Sequence, residues 1–151
     1  MESAEERRLA TALADRYRLD RELGRGGWGV VYLAQDLRHH RPVAIKVMEV
    51  GTGALATRER MRREIELEAN LDHPHIVPLF DSGEAGDSRI YFVMPFVDGE
   101  SLQQRIAREK QLPVIDAVRI ARDVAEALQH AHARGVIHRD VKPANILLSS
   151  G

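Results

Sequence analysis

The amino-acid sequence predicts an α+β fold, with strands concentrated in its first part and helices following. β-Branched and aromatic runs such as Val30-Val31-Tyr32-Leu33, Val43-Ala44-Ile45-Lys46-Val47 and Ile90-Tyr91-Phe92-Val93-Met94 are separated by turns. From Ser101 onward, apolar residues instead recur at helical spacing.

The bulk properties fit one soluble globular domain. The chain has 151 residues, 44% hydrophobic and 30% charged. A net charge of −1 gives no footprint for nucleic acid or an anionic membrane. The sequence contains no cysteine, so no disulfide framework is expected, in keeping with a reducing compartment. With no signal peptide and no transmembrane run, a cytoplasmic location is expected, while an anchor further downstream stays open.

Taken in order, Glu2 to Ala14 reads as a charged amphipathic helix, with Ser3 and Glu6 spaced as a capping box. Next comes Gly24-Arg25-Gly26-Gly27-Trp28-Gly29-Val30-Val31, a G-x-G-x-x-G-x-V run. Without Cβ atoms the backbone can turn tightly and bring N–H groups to phosphate oxygens. Dinucleotide-binding folds share that pattern, and Glu49 stands 20 residues beyond Gly29, where a ribose-binding acid would sit. Those folds need a helix after the glycines, however, and Val30 to Leu33 reads as a strand.

A polar turn from Asp36 to Pro42 leads into Val43-Ala44-Ile45-Lys46-Val47. Period-2 alternation puts Val43, Ile45 and Val47 on one face, with Ala44 and Lys46 on the other. Thr57 to Leu71 offers a helix whose apolar positions Met61, Ile65, Leu67 and Leu71 share a face, broadly. Ile90 to Val97 is a long apolar strand running into the turn at Asp98-Gly99.

A short helix is expected from Ser101 to about Arg108, and a longer one from Pro113 to about Arg134, ended by Gly135. Val118, Ala121, Val124, Ala125 and Leu128 should form the apolar face of the longer helix. Val136-Ile137 and Ile146-Leu147-Leu148 should be short strands on either side of His138-Arg139-Asp140-Val141-Lys142-Pro143-Ala144-Asn145. That loop holds a carboxylate, an ammonium and an amide together, and the three suit phosphoryl transfer. The carboxylate can orient and deprotonate a hydroxyl, the ammonium can neutralise a moving phosphoryl group, and the amide oxygen can ligate Mg²⁺.

The seven histidines do not read as a metal set. His130 and His132 point in different directions on a helix, and His39 and His40 lie in a turn with no cysteine to complete a zinc site.

The order of glycine loop, V-A-I-K, helix glutamate, apolar strand and H-R-D-V-K-P-A-N resembles the first half of a protein kinase catalytic domain. The likeness is to the bacterial, eukaryotic-like serine/threonine type and runs from about Tyr17 to Leu148. It implies a protein-kinase-like fold with a five-stranded antiparallel sheet plus one helix in the N-lobe, then the first part of a mainly helical C-lobe. The expected divisions are a helical extension at 1–16, N-lobe and hinge at 17–97, and partial C-lobe at 98–151.

The resemblance also implies roles. Gly24, Gly26, Gly27 and Gly29 cover the ATP phosphates. Trp28 caps them against water, or is simply an exposed turn residue or an anchor on a neighbouring surface. Val31, Ala44 and Leu147 enclose the adenine, with Met94 as gatekeeper, the Pro95 carbonyl accepting from the adenine amino group and the Val97 N–H donating to the ring. Lys46 reaches the α- and β-phosphates, held by Glu64 or else by Glu68, with Glu59 less favoured. Asp140 orients the hydroxyl, Lys142 neutralises phosphate charge, Asn145 holds Mg²⁺, and His138 plays a structural part.

The implied activity is transfer of the ATP γ-phosphate to Ser/Thr hydroxyls of protein substrates, with no nucleic-acid partner. A catalytically silent nucleotide-binding or interaction module and a small-molecule phosphotransferase are the other readings. After Asp140 the sequence has no acidic residue to serve as the D-F-G aspartate. The expectation is therefore a truncated kinase, inactive and poorly folded on its own.

Overall fold

A computed structural model describes residues 3–26, 29–49, 55–86, 88–137 and 141–149, with residues 55–58, 60 and 64 described by backbone alone. The chain divides into two compact units, Met1–Ala69 with Pro78–Phe96, and Asn70–Val77 with Val97–Gly151.

In the first unit, helix α1 (Ala4–Leu13) starts with the expected capping box: Glu6 N–H donates to Ser3 Oγ and Ser3 N–H to the Glu6 carboxylate. Strands β1 (Tyr17–Gly26), β2 (Gly29–Asp36), β3 (Arg41–Glu49), β4 (Asp81–Ala85) and β5 (Arg89–Pro95) form an antiparallel sheet in the order β1-β2-β3-β5-β4. The pleat makes this sheet two-faced. Tyr32, Ala34, Val43, Ile45, Val47 and Val93 build the core face, and Leu9 and Leu13 of α1 pack into it at 2% and 4% exposure. The leading helix is thus part of this unit's core.

The β2–β3 hairpin turns around one buried carboxylate. Asp36 accepts from the backbone N–H groups of Arg38 and His39 and contacts the His39 ring at 2.9 Å. Burial alone would raise its pKa, but these partners outweigh it and hold the carboxyl below its ordinary value. Tyr17, at the start of β1, donates to Asp81, which also receives Arg16 at 2.7 Å. Burial, with that hydrogen bond, pushes the Tyr17 pKa up to about 12.

Helix α2 (Leu55–Ala69) covers most of the expected span. Its expected apolar face is narrower than the sequence suggests: Met61 and Ile65 are half-buried, whereas Leu67 is exposed. Leu71 lies beyond the helix end and is buried in the second unit. Six positions separate Met61 from Leu67, which is not a multiple of the helical turn, so Leu67 rotates off the stripe.

In the second unit, β6 (Gly99–Ser101) leads into α3 (Leu102–Glu109), where Ser101 and Gln104 form a second capping box. Helix α4 (Val114–Ala133) follows, and Arg105 of α3 reaches Asp116 of α4 at 2.7 Å. Helix α4 ends in a Schellman motif: the N–H of Gly135 bonds the His132 carbonyl, and that of Val136 bonds the Ala131 carbonyl. Gly135 adopts φ +81°, a conformation that penalises any Cβ.

That ending corrects the expectation of a strand at Val136-Ile137. The Val136 N–H is spent on the helix and is not offered to a ladder, and neither residue is in a strand. Strand β7 (Leu147–Ser149) pairs with β6 instead. The apolar face of α4 also differs from expectation. Ala127 and Ala131 are its buried residues, and Ile120, Val124 and Leu128 are half-buried, but Val118, Ala121 and Ala125 are exposed. Apolar residues occupy two sides of this helix, so periodicity alone could not choose the buried one.

Candidate functional site

In the first unit, the expected nucleotide residues lie on the sheet face opposite the core. In the observed register Val31 lies opposite Lys46 and Lys46 opposite Phe92, while Leu33, Ala44 and Met94 form the next cross-strand row. Alternation then places Val31, Ala44, Lys46 and Met94 on one face. A small side chain, two apolar ones and an ammonium there make a flat apolar platform with one cation at its edge. Such a surface suits a planar ring carrying an anionic tail.

The glycine-rich run lies where β1 and β2 end their pairing. Gly24 pairs with Val31 and Gly26 with Gly29. Gly29 has φ +139°, and a Cβ there would lie 2.1 Å from the Val47 carbonyl oxygen, so the strand crossing requires glycine. Gly27 and Trp28 lie outside the described residues, as do Asp140, His138 and the side chain of Glu64, whose backbone belongs to α2. Both other glutamates considered for that role, Glu59 and Glu68, are exposed. Pro95 ends β5 opposite Val43.

Leu23 was not singled out in the sequence. It falls at a β-bulge between Glu22 and Gly24 and is 37% exposed, an apolar side chain one residue before the glycine run. Its proximity to Gly24 was the available signal. Phe92 was likewise visible only as part of an apolar run, and its place beside Lys46 depends on the β3–β5 register.

Val97, Lys142, Asn145 and Leu147 belong to the second unit. Lys142 is extended and exposed, as a residue before proline prefers. Pro143–Asn145 then forms one 3₁₀ turn, in which Asn145 N–H donates to the Lys142 carbonyl at 2.9 Å. The turn is held from behind, because the Leu102 N–H that opens α3 donates to the Ile146 carbonyl at 2.8 Å. Lys142 and Asn145 are therefore presented by a braced turn, and Leu147 follows in β7 at 49% exposure. The shifted titrations of Asp36 and Tyr17 belong to the hairpin and to the β1 start of the first unit.

Residues 17–151 match the protein kinase domain family, and the chain belongs to it. The serine/threonine-protein kinase PknB of Mycobacterium leprae is 43% identical over 142 residues, covering 91% of this chain and 23% of that protein. PknD of Mycobacterium tuberculosis, also a serine/threonine-protein kinase, is 45% identical over 135 residues, covering 89% of this chain and 20% of that one. The chain thus spans less than a quarter of the length of these curated relatives. Among solved structures, the kinase domain of M. tuberculosis PknI superposes with a TM-score of 0.79 at 39% identity, covering 89% of this chain and 55% of that domain. The fold is the protein kinase fold: a five-stranded antiparallel N-lobe sheet with its helix, and helices of the C-lobe. No helix among the described residues is long and apolar enough to cross a membrane.

Proposed function

We propose that this chain supplies the nucleotide lobe and catalytic loop of a serine/threonine protein kinase, moving the γ-phosphate of ATP to Ser or Thr hydroxyls of protein substrates in the cytoplasm. The observation that supports it best is the shared sheet face of Val31, Ala44, Lys46 and Met94, in a member of a family whose named relatives are serine/threonine-protein kinases.

In this reading residues 17–97 bind the nucleotide, 98–151 carry the catalytic loop, and 1–16 serve as a helical extension folded onto the nucleotide lobe. Val31, Ala44 and Met94 are the adenine contacts on the nucleotide lobe, with Leu23 as a further apolar one, and the family resemblance assigns Leu147 to the same ring. The Pro95 carbonyl and the Val97 N–H give it one acceptor and one donor. Gly24, Gly26, Gly27 and Gly29 bring backbone N–H groups to the phosphates, and Trp28 shields them. Lys46, oriented by Glu64, neutralises charge on the α- and β-phosphates. Asp140 accepts the proton of the attacking hydroxyl, and Lys142 offsets charge on the transferred group. The Asn145 amide offers the hard oxygen donor that Mg²⁺ prefers. When bound, Mg²⁺ neutralises the β- and γ-phosphates.

Phosphate transfer by the intact gene product to a generic Ser/Thr-containing protein tests this, together with binding of a fluorescent ATP analogue. Lys46→Met should lower transfer by at least ~10²–10³-fold, the usual loss on removing one preorganised electrostatic contact. Asp140→Asn should do the same while leaving nucleotide affinity largely intact. Equal loss of affinity in both variants contradicts the assigned roles.

A further inference from the structure

We propose that His75, Asp123 and Glu126 form a zinc-binding site within the second unit. Asp123 and Glu126 lie three positions apart on α4 and so share a face. His75 reaches that face from the Asn70–Val77 segment. One ligand atom from each of the three lies within 4.8 Å of the others, and His75 Nε2 is 3.5 Å from Asp123 Oδ1. Donors bound at about 2.0–2.1 Å to one tetrahedral zinc are themselves roughly 3.3–3.5 Å apart. The His75 and Asp123 atoms already stand at that separation. Glu126 is exposed, and a rotamer adjustment brings its carboxylate in.

The donor set selects the metal. One imidazole with two carboxylates leaves a fourth position for water, as in open zinc sites, and the imidazole disfavours Mg²⁺, which prefers oxygen ligands throughout. Neighbouring histidines support this arrangement without joining it. The His75 N–H donates to His73 Nδ1 at 3.1 Å, which shapes the loop, and the His73 ring stands 5.1 Å from that of His130. Spacing in the sequence could not reveal this site, because its histidine and its carboxylates come from segments far apart in the chain. A bound ion would pin the loop that leaves α2 onto α4.

Calorimetric titration of the purified, untagged chain with ZnCl₂ and no nucleotide tests the site, with helical content checked by circular dichroism. Saturable one-to-one uptake is expected, and Co²⁺ in its place should give the visible absorption of a four-coordinate ion. His75→Ala and Glu126→Gln alter exposed side chains and should each weaken zinc binding by more than the about 10–100-fold typical of losing an outer-shell partner, with unchanged circular dichroism. His40→Ala, in the hairpin turn of the first unit, should bind as the parent does, and MgCl₂ should give no such uptake. Absence of saturable zinc uptake by the folded parent, or unchanged affinity in either ligand variant, overturns the proposal.

Discussion

The two units reach their stability by different routes. In the sheet unit Ala34, Val43, Ile45 and Val93 are fully buried, and a helix from outside the family's matched span completes the core. In the helical unit the buried apolar residues are Leu71, Leu102, Ala127 and Ala131, all at 7–9% exposure, while Val114, Ile115, Val118 and Ile137 stand at 62–76%. The first unit closes a hydrophobic core from its own residues. The second is held to a larger extent by polar devices: a capping box, the Arg105–Asp116 pair, the Arg108–Glu100 pair and the Schellman motif. Exposed ion pairs contribute little each, so the sheet unit should be the more resistant of the two to denaturant.

The largest effects should come from core truncation. Ile45→Ala should destabilise the sheet unit by about 2–5 kcal/mol, through lost burial plus the cavity left behind. Val118→Ala in the helical unit should stay within about 0.5 kcal/mol, as exposed positions do. Urea unfolding followed by hydrogen exchange can assign each change to its unit, and comparable losses would erase the contrast.

Gly29→Ala comes next. The added Cβ meets a backbone carbonyl that cannot swing aside, and the positive φ adds strain of roughly 1–3 kcal/mol. The hairpin should open, with nucleotide affinity falling more than stability. A smaller effect is expected for Gly135→Ala, whose Cβ meets no neighbour: about 1–2 kcal/mol from the left-handed backbone alone, read as earlier fraying of α4. A cost at Gly135 equal to that at Gly29 would mean that contact with β3 is not what distinguishes them.

The smallest effect concerns alkaline pH. The Tyr17 pKa is raised from 10.0 to about 12 in the folded protein. Its contribution is therefore fully present below about pH 10 and is lost as pH rises toward 12. Tyr17→Phe should flatten that part of the stability profile. A profile unchanged by the substitution would show that ionisation of the buried Tyr17 does not control it.

Much of the sheet was legible because alternation of side chains fixes which residues share a face. Ala44 and Lys46 were separated from Val43, Ile45 and Val47 on that ground, and the strands are built so. Register across strands was not legible, and it is register that sets Lys46 against Phe92 and Ala44 against Met94. The capping boxes at Ser3 and Ser101 are local chemistry, yet only the first stood out, because Gln104 serves at the second in place of an acid. For α4 the sequence supplied apolar residues on two sides, and burial is a tertiary choice between them. The strand expected at Val136-Ile137 failed for another reason: β-propensity gave way to two helix carbonyls needing donors. Of the expected site, Asp140, Gly27, Trp28 and the Glu64 side chain lie outside the described residues, so their roles rest on family resemblance.

Leu9 and Leu13 have a practical consequence for how the molecule is cut. The family match opens at Tyr17, and an expression boundary placed there looks natural. Such a cut would strip two leucines from a surface that Tyr17 and Ala85 now share with them. A wet apolar patch would replace a dry seam, and patches of that kind drive self-association. Where homology begins and where solubility begins are, in this chain, separated by one helix.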